Sequence, residues 1–448
     1  MNGGTFTPGV EKERAGIYFN FKSIAQQRVV LGERGIVALP LVMNWGEAKT
    51  FFSISNLEDL QQKVGLGIDE PKLLLLREAM KRAKTVMLYR LNEGEAARAV
   101  IGEEFTAIAQ HGGSKGNEII VQVTENVLDT DKKDIVTYVG VNEVDRQIIT
   151  TIEELKPNQF LRFEGEGIPD FTAGTRLLGG SDGIATNSDY MSFLEAAETE
   201  YFDVIALPVK ENQQLKATFV SYLKRLREQQ GQKIIGVLSN YAGDYEGIVN
   251  VTNGVMLEDG TEITADKATA WVAGASAGAT FNQSLTFLEY EGATNVIERY
   301  DNEEIIERLK NGEFLFTYDA RTKTVSVEKD INSFVSFSSN KSNKMAKNKI
   351  IRVLDAVNND LTHEIKKLIK LRKESGADIP ASQDGMAYIK SLINQYMITL
   401  QTSGGIENFN SETDVVIRFN GDRDGFLIDI AIQPIDAAEK FYFTVEAR

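Results

Sequence analysis

Two runs near the end of the chain, Val415–Phe419 (VVIRF) and residues 426–432 (FLIDIAI), alternate apolar and polar residues around the turn Asn420-Gly421-Asp422-Arg423-Asp424-Gly425. Period-two alternation about an Asn/Gly/Asp-rich turn is a strong hairpin signature. A lone two-stranded hairpin is marginal in water and needs further strands or a cover. The chain offers two spare strands, both on its tails: Ile17, Tyr18, Phe19 and Phe21 near the start, and Phe441, Tyr442, Phe443 and Val445 beyond Pro434. The reading is that these are donor strands for an acceptor hairpin carrying Val415, Ile417, Phe419, Phe426, Ile428 and Ile430. If donor and acceptor belong to different copies, the protein is a unit of a woven assembly with a mechanical role. The linker 435–440 equally allows the last strand to fold back on its own hairpin.

At 448 residues the chain has room for about three domains. No apolar run approaches the ~20 residues that span a bilayer. The start, Met1-Asn2-Gly3-Gly4-Thr5-Phe6, lacks the basic and apolar regions of a signal peptide, so synthesis and first action in a cytoplasm are expected. With no cysteine there is no disulfide framework, thiolate metal site or cysteine nucleophile. The net charge of −16 opposes whole-surface binding to nucleic acid. That charge is uneven: residues 341–373 hold ten Lys or Arg against three acids, a local net of +7. Such segregation suits docking on an acidic partner, although a solvated helix face explains it as well.

The rhythm of the chain predicts discontinuous domains. Residues 1–22 read as an N-terminal arm. Residues 23–96 alternate strands (29–31, 36–41, 85–89) with a helix capped near Asn56 and another after Pro71, and the same α/β rhythm resumes over 177–329. There the helices 190–197 and 215–229 alternate with strands 204–207 and 234–238, which implies a parallel sheet with right-handed crossovers. Between these halves, residues 97–176 show short strands at 105–109, 118–123, 135–139, 147–149 and 160–163, with turns at 112–113, 129–131 and 142–143. This is an inserted β-rich domain whose loops should lie outermost. Residues 330–434 form a C-terminal α+β domain with helices 349–373 and 385–400 ahead of the hairpin, and 435–448 form the C-terminal arm. In the first of those helices Ile350, Leu354, Val357, Leu361, Ile365 and Leu368 make one apolar stripe.

Catalytic motifs are present in form and absent in context. Gly274-Ala275-Ser276-Ala277-Gly278 matches the G-x-S-x-G elbow, which would make Ser276 a hydrolase nucleophile. That chemistry needs a strand running straight into the serine, whereas Thr264 followed by an alanine-rich run reads as a helix start. Close helix packing explains the small residues instead. A triad also needs a histidine; His111 precedes the Gly112-Gly113 turn, and His363 falls on the polar face of the long helix. Gly179-Gly180-Ser181-Asp182-Gly183 is not followed by the Lys-Ser/Thr of a phosphate loop, and reads as a turn before a helix. Two histidines without cysteine do not make a typical zinc site. Asp422, Asp424 and Asp429 crowd the hairpin turn without calcium-loop spacing. No cofactor, metal or enzymatic activity is expected.

Several segments together resemble the contractile tail sheath proteins of bacteriophages of the myovirus type and of phage-tail-like particles such as R-type bacteriocins. They are Gly4-Thr5-Phe6-Thr7-Pro8-Gly9-Val10, Leu178-Gly179-Gly180-Ser181-Asp182-Gly183, Trp271-Val272-Ala273 with the G-A-S-A-G run, Gln283-Ser284-Leu285-Thr286, and the stretch from Gly425-Phe426 through Pro434-Ile435-Asp436-Ala437-Ala438-Glu439-Lys440. Each is weak alone; their order and spacing are specific, and 97–176 is the variable part. The resemblance implies a multidomain α/β and α+β fold with strand-donating arms, and a structural subunit whose hexameric rings stack around an inner tail tube and contract to drive it through a target envelope. It implies as partners other copies of the chain, the tube protein, the baseplate and the tail terminator, with no nucleic acid and no membrane insertion. It implies assembly in a host bacterial cytoplasm and release by lysis. On this view Lys366, Lys367 and Lys370 face the tube. The rival readings are another self-assembling shell or surface-layer subunit, and an α/β hydrolase acting through Ser276.

Overall fold

Strand Ile36–Leu41 buries side chains on both faces, Val37, Leu39 and Leu41 in one cluster and Ala38 in another. A strand covered on both sides sits inside a parallel sheet with helices above and below. The computed structural model describes residues 31–32, 34–102 and 105–447, together with the backbone strands Asn2–Thr5 and Ile17–Phe19. In it Ile36–Leu41 lies within a seven-stranded sheet ordered Glu313–Phe314, Ile248–Val251, Ile235–Ser239, Val204–Ala206, Ile36–Leu41, Thr85–Arg90, Phe51–Ile54. All neighbours run parallel except the last pair. Strand Phe51–Ile54 escapes sequence reading because FFSI is too short to show a period.

The helices are α1 (Leu57–Val64), α2 (Leu74–Met80), α3 (Asn187–Ala197), α4 (Gln213–Glu228), α5 (Ala265–Gly278), α6 (Asn302–Lys310), α7 (Asn348–Glu374) and α8 (Gln383–Thr402). α2 and α5 cover one face of the sheet, α3 and α4 the other. Asn56 caps α1 through its side chain, which accepts from Asp59 N–H at 2.8 Å. Pro71 opens a 3₁₀ turn, Pro71–Leu73, rather than the α-helix itself.

Between Thr85–Arg90 and Val204–Ala206 the chain leaves the sheet and builds a sandwich. One layer is Leu161–Gly165, Phe105–Ala109 and Arg98–Ile101; the other is Asn142–Ile149, Lys133–Val139, Ile119–Glu125 and Thr172–Arg176, antiparallel throughout. The turn read at Asn142-Glu143 is actually Gly140-Val141, and the strand after it runs Asn142–Ile149 rather than 147–149, because Asp145 and Gln147 on its half-buried face are polar while Val144 and Ile148 are exposed, which hides the period. The outgoing and returning chains are tied together where they pass: Glu95 pairs with Ser181 and Arg98 with Leu178. Asn92 Nδ2 donates to the Asp182 carbonyl, and Asp182 Oδ1 accepts from Ser114 N–H at 2.7 Å. Gly94, at φ +68, leaves room for the Ser181 carbonyl, which a Cβ would strike. The Gly179–Gly183 run is thus a structural crossing before α3, and no phosphate cradle.

The C-terminal unit packs α7, α8 and the hairpin around Val353, Leu361, Ile389, Ile393, Tyr396, Met397 and Leu400. The stripe read for α7 holds in its second half; its first half, from Asn348 to Ala356, is buried nearly all round. Residues 29 and 30 of the strand read at 29–31 lie outside the described residues, as does Phe21.

Candidate assembly surfaces

Strands Val415–Phe419 and Phe426–Ile430 pair in the register Val415–Ile430, Ile417–Ile428 and Phe419–Phe426. The six residues read as the acceptor therefore share one face; five of them pack in the cluster with α8 and α7, and Phe419 lies against Phe426 with ring centroids 5.8 Å apart. Asn420 closes the turn, its Oδ1 accepting from Asp424 and Gly425 N–H. Asp429 pairs with Arg418 on the opposite face, so the three aspartates do not converge. Among the described residues no third strand pairs with either edge of this hairpin. What remains open is backbone: two rows of unpaired N–H and C=O groups, a ready template for added strands.

Phe441, Tyr442, Phe443 and Val445 form no strand in the single chain and are 71–88% exposed. Their root is fixed. Glu439 Oε1 accepts from Thr286 Oγ1 at 2.7 Å and from Ser284 Oγ, while Lys347 pairs with Asp436 at 2.6 Å. Two motifs far apart in sequence, Gln283–Thr286 and Asp436–Glu439, thus meet to anchor the arm where it leaves the body. At the other end, Ile17–Phe19 pairs in parallel with Asn2–Thr5, so within one chain this strand's partner is its own terminus.

Lys366, Lys367 and Lys370 stand exposed on the second half of α7, with Lys367 3.6 Å from Glu364. Much of the basic charge read over 341–373 is used internally. Arg352 is buried against Asp330 at 2.7 Å, Lys341 pairs with Glu246 at 2.6 Å, and Lys347 holds the arm root. The exposed end of α7 also carries Ile369 and Leu371, with Tyr388 beside Arg372 on α8, so the surface is mixed rather than purely electrostatic.

Three long-range acid–base contacts lock α7 to the body. Arg227 of α4 meets Asp355 through two bonds of 2.8 Å and also donates to the Ile234 carbonyl at 2.7 Å. Arg34 reaches Asp360 at 3.1 Å, and Tyr396 donates to the same carboxylate at 2.9 Å. Asp330 accepts from Arg352, from Asn348 at 2.8 Å and from Leu285 N–H at 3.0 Å. Sequence periodicity carries no signal for these pairs; buried Asp and Arg on an otherwise apolar helix face are the trace they leave.

Ser276 lies inside α5 as read, buried, although Thr264 makes no side-chain cap bond. Neither histidine approaches it as a base would. His111 packs edge-on to Trp45 at 5.3 Å, and burial, then the neighbouring Arg90, hold its imidazole below the ordinary value; His363 is exposed on α7. The glycines of the motif serve packing. A Cβ at Gly274 would strike the Ala79 carbonyl of α2, and one at Gly278 the Arg82 carbonyl. Gly274→Ala should therefore lower stability by about 1–3 kcal/mol through overpacking, although Ala in a free helix would gain ~1 kcal/mol. Urea denaturation measures the sign, and a stabilised variant would refute the close-packing account.

Comparison with known proteins accounts for these parts in order. Family models match the N-terminal region of tail sheath protein Gp18 domain III (residues 34–91), the phage tail sheath β-sandwich domain (92–182), the phage tail sheath central domain (183–333) and the phage tail sheath C-terminal domain (340–448). The XkdK protein of the phage-like element PBSX of Bacillus subtilis is 63% identical across 100% of both chains. A crystal structure of a sheath tail protein from Listeria innocua superposes with a TM-score of 0.83 at 46% identity, covering 94% of this chain and 96% of that one. The contracted helical sheath protein of the anti-feeding prophage shares the fold, with a TM-score of 0.58 at 10% identity over 98% and 100% of the two chains. With a full-length relative at that identity and sheath domains matched along the chain, this protein belongs to the phage tail sheath family: it is a tail sheath protein of a phage or phage-like contractile system.

Proposed function

We propose that this protein assembles as hexameric rings that stack helically around an inner tail tube, and that the stack contracts to drive the tube through a target envelope. The observation that carries this reading is the hairpin with two open edges in the same chain as an exposed aromatic arm with an anchored root. Donated strands keep neighbours connected while the softer contacts between subunits exchange. The N-terminal strand Ile17–Phe19 leaves its own terminus and, like Phe441–Val445 at the other end, adds to a neighbour's hairpin. Helical sheath and baseplate assemblies built from the anti-feeding prophage fold support self-assembly and a baseplate partner. The tube protein and a tail terminator complete the partners.

The chain acts without cofactor or enzymatic step, since the work of contraction is stored at assembly. Subunits assemble in the bacterial cytoplasm and leave by lysis. The domains are an arm (1–22), a discontinuous α/β unit (23–96 and 177–329), an inserted outward-facing sandwich (97–176), a C-terminal unit (330–434) and a second arm (435–448). Val127 and Leu128, almost fully exposed at a sandwich hairpin tip, support the outward placement of that module.

Lys366, Lys367 and Lys370 face the tube, and repetition around each ring multiplies their individually weak contacts. Reversing two of them, Lys366→Glu with Lys370→Glu, should leave empty cylinders intact and impair coating of tubes, most strongly at low salt. Normal coating of tubes by the double variant at both low and high salt would place the docking surface elsewhere.

A further inference from the structure

Beside the root of the C-terminal arm lies a concave groove of about 700 Å³, walled by α6, the loop around 328–337 and the turn at 343–347. Its apolar lining includes Phe287, Ile306, Phe334, Val335 and Phe337, with Phe287 66% and Phe337 52% exposed. Single exposed hydrophobics are ordinary on a protein surface; several around one concavity mark an interaction site.

The aromatic walls are held in place. Phe287 sits at φ +64, a left-handed backbone that bulky side chains avoid, and its N–H is fixed to the Val327 carbonyl at 2.8 Å. A strained residue that its surroundings hold in place is a pattern of binding sites. Asp244 accepts from Val335 N–H at 2.8 Å and Ser336 N–H at 3.0 Å, and Phe337 stands edge-on to Phe334 at 5.5 Å. The groove is therefore pre-organised.

Glu439 and Lys440 belong to its rim, so the arm leaves the body at the groove. The five residues 441–445 read as the donated strand, fully extended, span at most ~18 Å. Any subunit that takes the arm must lie close to the groove. The rim carries Lys310, Lys329 and Lys440 against Glu328, with Lys347 and Glu439 already paired to each other at 3.7 Å, while the chain as a whole is at −16. A basic, apolar seat complements another copy of this acidic protein.

We infer that the groove seats a second copy of the chain, forming an interface separate from the strand-accepting hairpin and continuous with the arm root. This inference rests on the reading that arms are exchanged between subunits.

The natural chain has no cysteine, so single-cysteine variants label cleanly. Phe337→Cys should react rapidly with a maleimide in free subunits and at least tenfold more slowly in assembled cylinders. Tyr442→Cys reports the arm independently. Protection at 442 with full reactivity at 337 overturns the groove and leaves strand exchange standing; reactivity at both positions removes both readings. If Phe337→Cys folds with an unchanged melting temperature yet forms no cylinders, the groove is required for assembly. As a second arm of the experiment, Phe287→Asn keeps a residue tolerant of the left-handed backbone. It should melt no lower than the natural protein and raise the concentration needed for cylinders at least tenfold. Unchanged assembly by this variant overturns the proposal.

Discussion

A chain ending at residue 440 should melt at the temperature of the full protein and form no cylinders. Residues 441–447 are exposed and in no strand, so their removal takes almost nothing from the folded subunit. The anchor at Glu439 and Asp436 stays in place. The lost term appears only on assembly. A donated strand contributes backbone hydrogen bonds at about 0.5–1.5 kcal/mol each, and each large side chain it buries adds roughly 1.5–3 kcal/mol. Phe441, Tyr442 and Phe443 make that several kcal/mol per arm, repeated at every subunit. Sedimentation and negative-stain microscopy read the outcome directly. Cylinders of normal length from the truncated chain would show that the arm is not the link.

Breaking the contact between α4 and α7 should be the most damaging single change to the subunit itself. Arg227 and Asp355 are almost wholly withdrawn from water and joined by two bonds. Asp355→Ala leaves a buried guanidinium with the Ile234 carbonyl and the Tyr245 ring beside it but no counter-charge joined to it, at a cost of about 3–5 kcal/mol. Replacing both partners with apolar residues of similar size, Arg227→Met with Asp355→Leu, should cost clearly less than the single change, because no charge is then stranded. Urea denaturation of the two singles and the double gives the comparison. A double variant as unstable as the sum of the singles would mean that the pair is uncoupled. The effect bears on function because Lys366, Lys367 and Lys370 ride on the same helix.

Local pattern made much of this legible without coordinates. Alternation around Asn420–Gly425 revealed the hairpin, the Asn56 cap marked the start of α1, and the alanine-rich approach to Ser276 placed it in a helix. These signals lie within a few residues, where backbone geometry alone links sequence to shape. The family resemblance rests on the same kind of text, short runs in a fixed order, and the family comparisons agree with it.

Tertiary structure alone decided how distant parts meet. Nothing in the order of residues says that Thr286 holds Glu439, that Arg227 finds Asp355, or that Phe51–Ile54 closes one edge of the sheet. It turned the apolar face of the hairpin read as an acceptor toward α8, leaving its backbone edges free among the described residues. It also tied part of the basic stretch into the subunit, where Arg352 and Lys347 pair with Asp330 and Asp436 instead of a partner. The physical reason is the same in each case. Periodicity reports which face of an element is apolar, whereas the choice of partner depends on which elements the whole core brings within a few ångströms.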